Sequence, residues 1–321
     1  MNTIFVVSGG DAPGINALLA NYAQIATLHG DTVCGANGGF PGLLHEQIQP
    51  LPFTMLSPWM GRGGSILPSS RDPVLSQAEA GELIRRILHD QHIDNMVLFG
   101  GNGTLRYIPP LLRAWEIPYI GIPTTIDNDV PGSERTLGFD SACNFAYQAI
   151  DGALATGHAL NGRLFMVETL GGTCGNLALA VAQGAGAHAV IVPEFEYDEN
   201  WLARRLKTAV ERDGYGLLVI CEGARGARTL ADTLPALTGI RMRDTRLGHT
   251  QRGGTPSHSD RVLAAQMARL AHHHLKSNQS GILVVRNGEL TLTAALSDTP
   301  VMPNRELYLQ INGLNDEHTG N

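Results

Sequence analysis

The sequence is short of positive charge. Its 321 residues carry 23 Lys and Arg against 30 Asp and Glu, a formal net charge of -7. That balance argues against nucleic acid or an anionic membrane as the main partner. Any phosphate ligand must therefore be held by local arginines and backbone amides. Cysteine is scarce too. Cys34, Cys143, Cys174 and Cys221 lie in apolar or Gly-rich surroundings with no Cys-x-x-Cys pair. The expectation is reduced, buried thiols in a cytoplasmic enzyme, not a disulfide frame. No hydrophobic run is long enough to cross a bilayer. Residues 1–7 lack the basic start of a secretory leader and are expected to form a first strand. Aromatics make up only 6%, whereas 38 glycines suit many tight strand-to-helix turns. The length exceeds what one core fills comfortably, so two domains are expected.

Three apolar strands run into glycine-rich turns. Ile4-Phe5-Val6-Val7 leads to Ser8-Gly9-Gly10-Asp11-Ala12-Pro13-Gly14, and Asn95-Met96-Val97-Leu98-Phe99 to Gly100-Gly101-Asn102-Gly103-Thr104. Arg163-Leu164-Phe165-Met166-Val167-Glu168 leads to Thr169-Leu170-Gly171-Gly172-Thr173-Cys174-Gly175. Glycines let backbone N–H groups approach an anion, and a following helix aims its N-terminus at the same place. In the first turn neither the dinucleotide nor the Walker spacing is present, and alone it is a weak signal, since such turns are often only structural. The first and third turns echo one another, which suggests two similar α/β halves. Residues 61–71, with Arg62 and Arg71 among glycines and serines, read either as a ligand loop or as a solvated connector. Helices are expected over residues 77–90, between 132 and 157, over 198–212 and over 259–274. His272, His273 and His274 diverge around a helix axis, so one metal would not collect all three; cations at a helix C-terminus are the expected reading.

The stretch 121–132, Gly-Ile-Pro-Thr-Thr-Ile-Asp-Asn-Asp-Val-Pro-Gly, organises the rest. The apolar run from Ile117 to Ile122 meets Pro123, where the strand is expected to end. In an extended backbone the spacing of Asp127 and Asp129 puts both carboxylates on one side with Thr125. Two such acids repel unless a cation or a proton-bearing substrate comes between them. At the C-terminal end of a strand in an open α/β sheet, ligands bind. Further on, arginines surround His249 in the Gly-rich loop 241–256, which suits a dianion.

Together these segments resemble the 6-phosphofructokinase family over nearly the whole chain. The resemblance rests on residues 9–16, 100–104, 125–129, 138–142 and 247–254 at their separations. It implies an α/β fold of two Rossmann-like, three-layer α/β/α domains with the active site in the cleft between them. The boundaries implied are about 1–138 plus 252–304 for nucleotide binding, and about 139–251 plus 305–321 for sugar phosphate. It implies an ATP-dependent kinase acting on the 1-hydroxyl of fructose 6-phosphate or a related ketose phosphate, with Mg²⁺. A pyrophosphate-dependent enzyme is the alternative, and a degenerate non-catalytic homologue is a lesser one. On the resemblance, Asp127 is the general base, Thr125 a substrate contact and Asp129 a Mg²⁺-side carboxylate with Asn102. Gly10, Arg71, Asn102, Gly103 and Thr104 bind the nucleotide phosphates, and Arg71 is counted with the catalytic group. Leu170, Glu222, His249 and Arg252 bind the sugar phosphate. Arg163 and Arg243 do so across a subunit boundary, which implies a homo-oligomer, dimer or tetramer. Four positions depart from the family pattern: Asn102 replaces an Asp, Gly172 an Arg, Phe40 a Tyr, and Thr124 is neither Gly nor Lys. Gly103 favours ATP, because pyrophosphate users carry an Asp there.

Overall fold

The computed structural model describes residues 1–70, 75, 79–159 and 161–314. By its internal contacts the chain divides into two units, Met1–Ser141 with Arg252–Pro300, and Ala142–Gln251 with Val301–Asn321.

In chain order, the first segment holds β1 (Asn2–Val7), α1 (Ile15–Leu28), β2 (Thr32–Ala36), α2 (Gly39–Leu44), β3 (Ile48–Pro50) and α3 (Phe53–Leu56). It continues with α4 (Ala80–Asp90), β4 (Asn95–Gly100), α5 (Asn102–Ala114), β5 (Tyr119–Thr125), β6 (Leu137–Gly138) and α6 (Phe139–Ala159). Then come β7 (Arg163–Thr169), α7 (Asn176–Gly184), β8 (Ala189–Ile191), α8 (Glu199–Asp213), β9 (Tyr215–Cys221), α9 (Leu230–Thr238) and β10 (Met242–Arg246). The last elements are α10 (His258–Lys276), β11 (Gly281–Arg286), β12 (Glu289–Thr293) and α11 (Arg305–Asn312).

Unit 1 is built on one sheet in the order β12-β11-β5-β4-β1-β2-β3, with β6 beside β5. The pairings are parallel except at the two edges, β2 with β3 and β11 with β12. Its inner strands are continuous apolar runs because both faces are covered. Alternate residues go to opposite sides. Phe5, Val7, Val97, Phe99, Leu283 and Val285 join α1 and α10 in one core. Ile4, Val6, Met96, Leu98, Ile282 and Val284 join α4 and α5 in the other. The strand order reverses between β1 and β4, and in such a sheet the crevice beyond their C-terminal ends is the place for a ligand.

Unit 2 has a four-stranded sheet, β10-β7-β9-β8, all parallel. Leu164, Met166, Leu218 and Ile220 pack under α8 and α9. At the sheet's β8 edge Asn312 of α11 makes two bonds to the Val190 backbone, at 2.9 and 3.0 Å.

The structure corrects several local expectations. β5 does not stop at Pro123 but runs to Thr125, with Pro123 opposite Gly100. On its other side β11 pairs with Ile120 and Gly121, and the pairing with β6 begins at Thr124, so no N–H is asked of Pro123 there. The helix expected from residue 77 is described from Ala80. The helices expected over 198–212 and 259–274 start from side-chain caps, Asp198 for α8 and Ser257 for α10. His272 is not a surface cation. It is buried, and its Nε2 lies 2.8 Å from Asp31 Oδ2; only His273 and His274 share the last turn with Lys276. All four cysteines are buried.

Candidate active site

A cavity of about 480 Å³ opens at the switch point of unit 1. Residues 8–11 after β1 and residues 101–104 at the start of α5 form two of its walls, and Thr124, Thr125, Asp127 and Asp129 form a third. Phe40, Pro41, Leu75, Tyr107 and Ile108 make an apolar end.

The two glycine turns are bound to each other. Thr104 Oγ1 donates to the Ser8 carbonyl at 3.1 Å, and Ser8 N–H to the Phe99 carbonyl at 2.9 Å. Gly9 has φ +100, which a side chain would resist. Gly103 is different: neither a positive φ nor a close neighbour demands glycine there, and a Cβ would meet nothing within 4 Å. The segment 69–70 lies alongside, with Ser69 Oγ donating to the Gly9 carbonyl at 2.6 Å. Arg71, expected among the phosphate-binding residues, lies outside the described residues.

The backbone around the two acids is not extended. Asn128 sits at φ +49, a left-handed turn held by its amide on the Glu134 carbonyl at 3.1 Å. Thr125 Oγ1 accepts the Asp127 N–H at 3.1 Å, and Thr136 Oγ1 donates to the Thr125 carbonyl at 2.7 Å. Asp127 and Asp129 both line the cavity even so, because the turn replaces the alternation assumed from sequence. Burial pushes the Asp129 carboxyl above its usual range, partly offset by a hydrogen bond from the Asn102 side chain. Asn102 Oδ1 accepts from Arg106 Nε at 2.9 Å, so the amide is fixed at both ends. Arg252 reaches the same cavity. Its Nε and Ser70 Oγ are buried without a hydrogen-bond partner among the described residues. Two idle polar groups in one cavity wall point to a polar ligand.

The chain matches the family model described as Phosphofructokinase over residues 2–275. It belongs to the phosphofructokinase family. It is 35% identical over 293 residues to an ATP-dependent 6-phosphofructokinase of Staphylococcus carnosus, covering 90% of each chain. A relative of the same description from Lactobacillus delbrueckii subsp. bulgaricus is 37% identical, over 89% of this chain and 90% of that one. Among solved structures, phosphofructokinase from Saccharomyces cerevisiae superposes with a TM-score of 0.81 at 25% identity. That match covers 91% of this chain but only 44% of the yeast chain. A pyrophosphate-dependent phosphofructokinase from Nitrosospira multiformis gives 0.84 at 18% identity, covering 99% and 88%, a likeness of fold alone.

Of the residues expected at the site, the cavity gathers Gly10, Asn102, Gly103, Thr104, Thr125, Asp127, Asp129 and Arg252. The other expected residues lie on unit 2. Glu222 follows the last residue of β9; its Oε1 accepts the Gly172 N–H at 3.2 Å, and its own N–H donates to the Thr169 carbonyl at 2.9 Å. Leu170 N–H donates to Gln251 Oε1 at 2.8 Å, which ties the turn after β7 to the short 3-10 helix Gly248–Arg252 carrying His249. Arg163 begins β7, and Arg243 is the second residue of β10. Both therefore start their strands where Glu222 ends one, and a single copy of unit 2 does not bring them together. Arg163 Nε is buried without a partner among the described residues.

Three features of these sites were missed in the sequence. Ser70 was read only as part of a polar loop. Arg228 and Arg246 both act on Glu168, whose carboxyl burial pushes up, with Arg246 pulling it back most. Asp260 carried no local signal, because its partners are more than a hundred residues away.

Proposed function

We propose that this family member transfers the γ-phosphoryl group of ATP to the 1-hydroxyl of fructose 6-phosphate, working in the cytoplasm. The observation that carries the reading is one cavity with an aromatic end, two backbone-lined glycine turns and two carboxylates. The curated relatives described as ATP-dependent 6-phosphofructokinase support the same donor. So does the open space at Gly103, where a side chain would intrude on the nucleotide's phosphates.

Phosphoryl transfer asks mainly for alignment and charge neutralisation. Asp127 takes the proton of the sugar hydroxyl as its oxygen bonds to the γ-phosphorus, while the bond from that phosphorus to the bridging oxygen breaks and ADP leaves. Thr125 fixes the turn that aims Asp127. Backbone N–H groups at Gly10 and Gly103, the Thr104 region and Arg71 hold the nucleotide phosphates. Leu170, Glu222, His249 and Arg252 hold the sugar phosphate. A second copy of the chain supplies Arg163 and Arg243, which makes the working enzyme a homo-oligomer.

The donor set suits Mg²⁺. Asp129 is a desolvated carboxylate lining the cavity with the Asn102 amide hydrogen-bonded to it, and Mg²⁺ takes one or two carboxylates plus phosphate oxygens and water. No group of three His, Cys, Asp or Glu suited to a metal occurs among the described residues, so a cage made wholly of protein is not expected. When bound, Mg²⁺ neutralises charge on the transferring phosphate; Asp129 and Asn102 would hold it.

The test is a coupled assay over fructose, tagatose and sedoheptulose phosphates with ATP and with pyrophosphate. Fastest turnover is expected with ATP and fructose 6-phosphate, and Asp127→Ala should lower kcat by about two to four decades. Turnover with pyrophosphate alone would overturn the donor. A faster second sugar would overturn the acceptor, and an unaffected Asp127→Ala enzyme the site.

A further inference from the structure

β6 is only two residues long, yet two parts of the candidate active site meet on it. Leu137 and Gly138 pair in parallel with Thr124 and Thr125 at the end of β5. They also touch the first glycine turn. A Cβ on Gly14 would come within 2.7 Å of Leu137 Cδ1, and one on Gly138 within 2.7 Å of Ala12 Cβ. β6 thus spaces residues 12–14 from the turn that carries Asp127. A two-residue strand cannot hold such a position by its own ladder.

What holds it is a carboxylate from far along the chain. Asp260, 1% exposed, accepts the Gly138 N–H at 3.1 Å, the Ser141 N–H at 2.9 Å and the Ser141 hydroxyl at 2.5 Å. The Ser141 hydroxyl in turn accepts the Ser257 N–H at 2.9 Å. Ser257 also bonds Asp140, and Arg135 bonds Ser259. Asp260 is not needed to cap α10, since Ser257 Oγ already accepts the Asp260 N–H at 3.2 Å. A buried carboxylate costs free energy unless its oxygens are satisfied. Here the donors satisfying it belong to β6 and the first turn of α6.

We propose that Asp260 is a positioning residue for catalysis: by holding Gly138 it fixes β6, and through β6 the spacing between the first glycine turn and Asp127. The effect falls on the chemical step more than on nucleotide affinity, because the glycine turns are also joined by the Thr104–Ser8 bond, which Asp260 does not touch.

The inference rests on the function proposed above, so its test carries a readout independent of turnover. Asp260→Asn keeps the shape and removes the second acceptor oxygen; Ser141→Ala removes one of the three bonds. For Asp260→Asn, kcat should fall at least about tenfold while KM for ATP stays within about twofold. Amide hydrogen exchange should quicken at residues 124–128 and 136–141 alone. Ser141→Ala should show the same pattern at smaller size, and it decides the matter if Asp260→Asn does not fold. Unchanged kcat, or KM for ATP rising as much as kcat falls, would overturn the proposal. So would exchange that quickens evenly over unit 1. If the wild-type protein turns over no sugar phosphate, the proposed function fails by itself, and the exchange pattern still decides whether Asp260 holds the Asp127 turn.

Discussion

Asn102 shows how one side chain sets the character of its neighbour. Its Oδ1 is taken by Arg106 Nε at 2.9 Å, which leaves the amide N–H groups for the Asp129 carboxylate. Asn102→Asp would remove that donor and set a second negative charge against a carboxylate that burial already disfavours. Without metal the variant should melt lower than wild type; with Mg²⁺ the order should reverse. Its half-saturating Mg²⁺ in a melting titration should fall by about tenfold, since ligand charge sets affinity at oxygen sites. An unmoved midpoint would remove Asn102 from the metal's surroundings. Gly172 offers a second case. It has φ +57 and open space around its Cβ position, so an arginine fits, at about 1–2 kcal/mol for the left-handed backbone. On the family resemblance, Gly172→Arg should raise kcat more than it changes KM for sugar phosphate. A gain confined to KM would show the arginine acting on ground-state binding.

At the scale of elements, the strands and their glycine turns were legible because both signals are local. Apolar runs of four to six residues give buried strands, and glycine gives the turn. The glycines also marked where ligand could approach, and the turns after β1 and β4 do line the cavity. What escaped was decided by distant parts of the chain. β6 exists because Asp260 and Thr136 hold it. β5 passes through Pro123 because its neighbours happen not to need that N–H. Asp127 and Asp129 share a wall by way of a left-handed Asn128, not by the alternation that first suggested it. The loop at residues 61–64 was ambiguous for the same reason. A Cβ on Gly63 would lie 2.1 Å from the Gly254 carbonyl oxygen, and Gly64 N–H donates to the Arg252 carbonyl at 3.2 Å. The loop is therefore a backing for Arg252. Gly63→Ala should cost about 1–3 kcal/mol, read as a lower denaturant midpoint. It should also raise KM for sugar phosphate with little change in KM for ATP. Equal effects on both constants would mean that the loop supports the whole unit and not Arg252.

Over the whole molecule, each unit carries a histidine whose packing disfavours its charged form, His272 buried and His188 half-buried, and both shape how stability follows pH. In unit 2, His188 Nδ1 accepts the Leu217 N–H at 2.9 Å, so the ring proton is on Nε2, 2.9 Å from Asp213. In unit 1, His272 lies under Tyr22 and beside His29, facing Asp31, with Lys276 on the same carboxylate. Burial lowers both imidazoles below their ordinary value, against the pull of the aspartates. A group whose folded pKa is depressed contributes stability that is full above its unfolded pKa and lost as pH falls through the folded one. For these histidines the loss begins near pH 6.5, roughly the unfolded value. Asp31 is also depressed, by Lys276, the chain's first amino group and His272, and its contribution disappears only below about pH 4. The raised carboxyls of Asp129, Glu168, Glu194 and Asp260 act in the opposite sense, since their folded forms bind protons more readily as pH falls. Their effect starts at the raised folded values, above the ordinary carboxylate range, and opposes the loss from the histidines. Below about pH 6.5 the histidines should therefore lower the melting temperature while the raised carboxyls oppose them, so the drop is shallower than two histidines alone would give. His188→Asn keeps an acceptor where Nδ1 stands, and His272→Gln keeps a donor toward Asp31. Each should flatten part of the drop, and the double variant most of it. A drop of undiminished size in the double variant would place the titrating groups elsewhere.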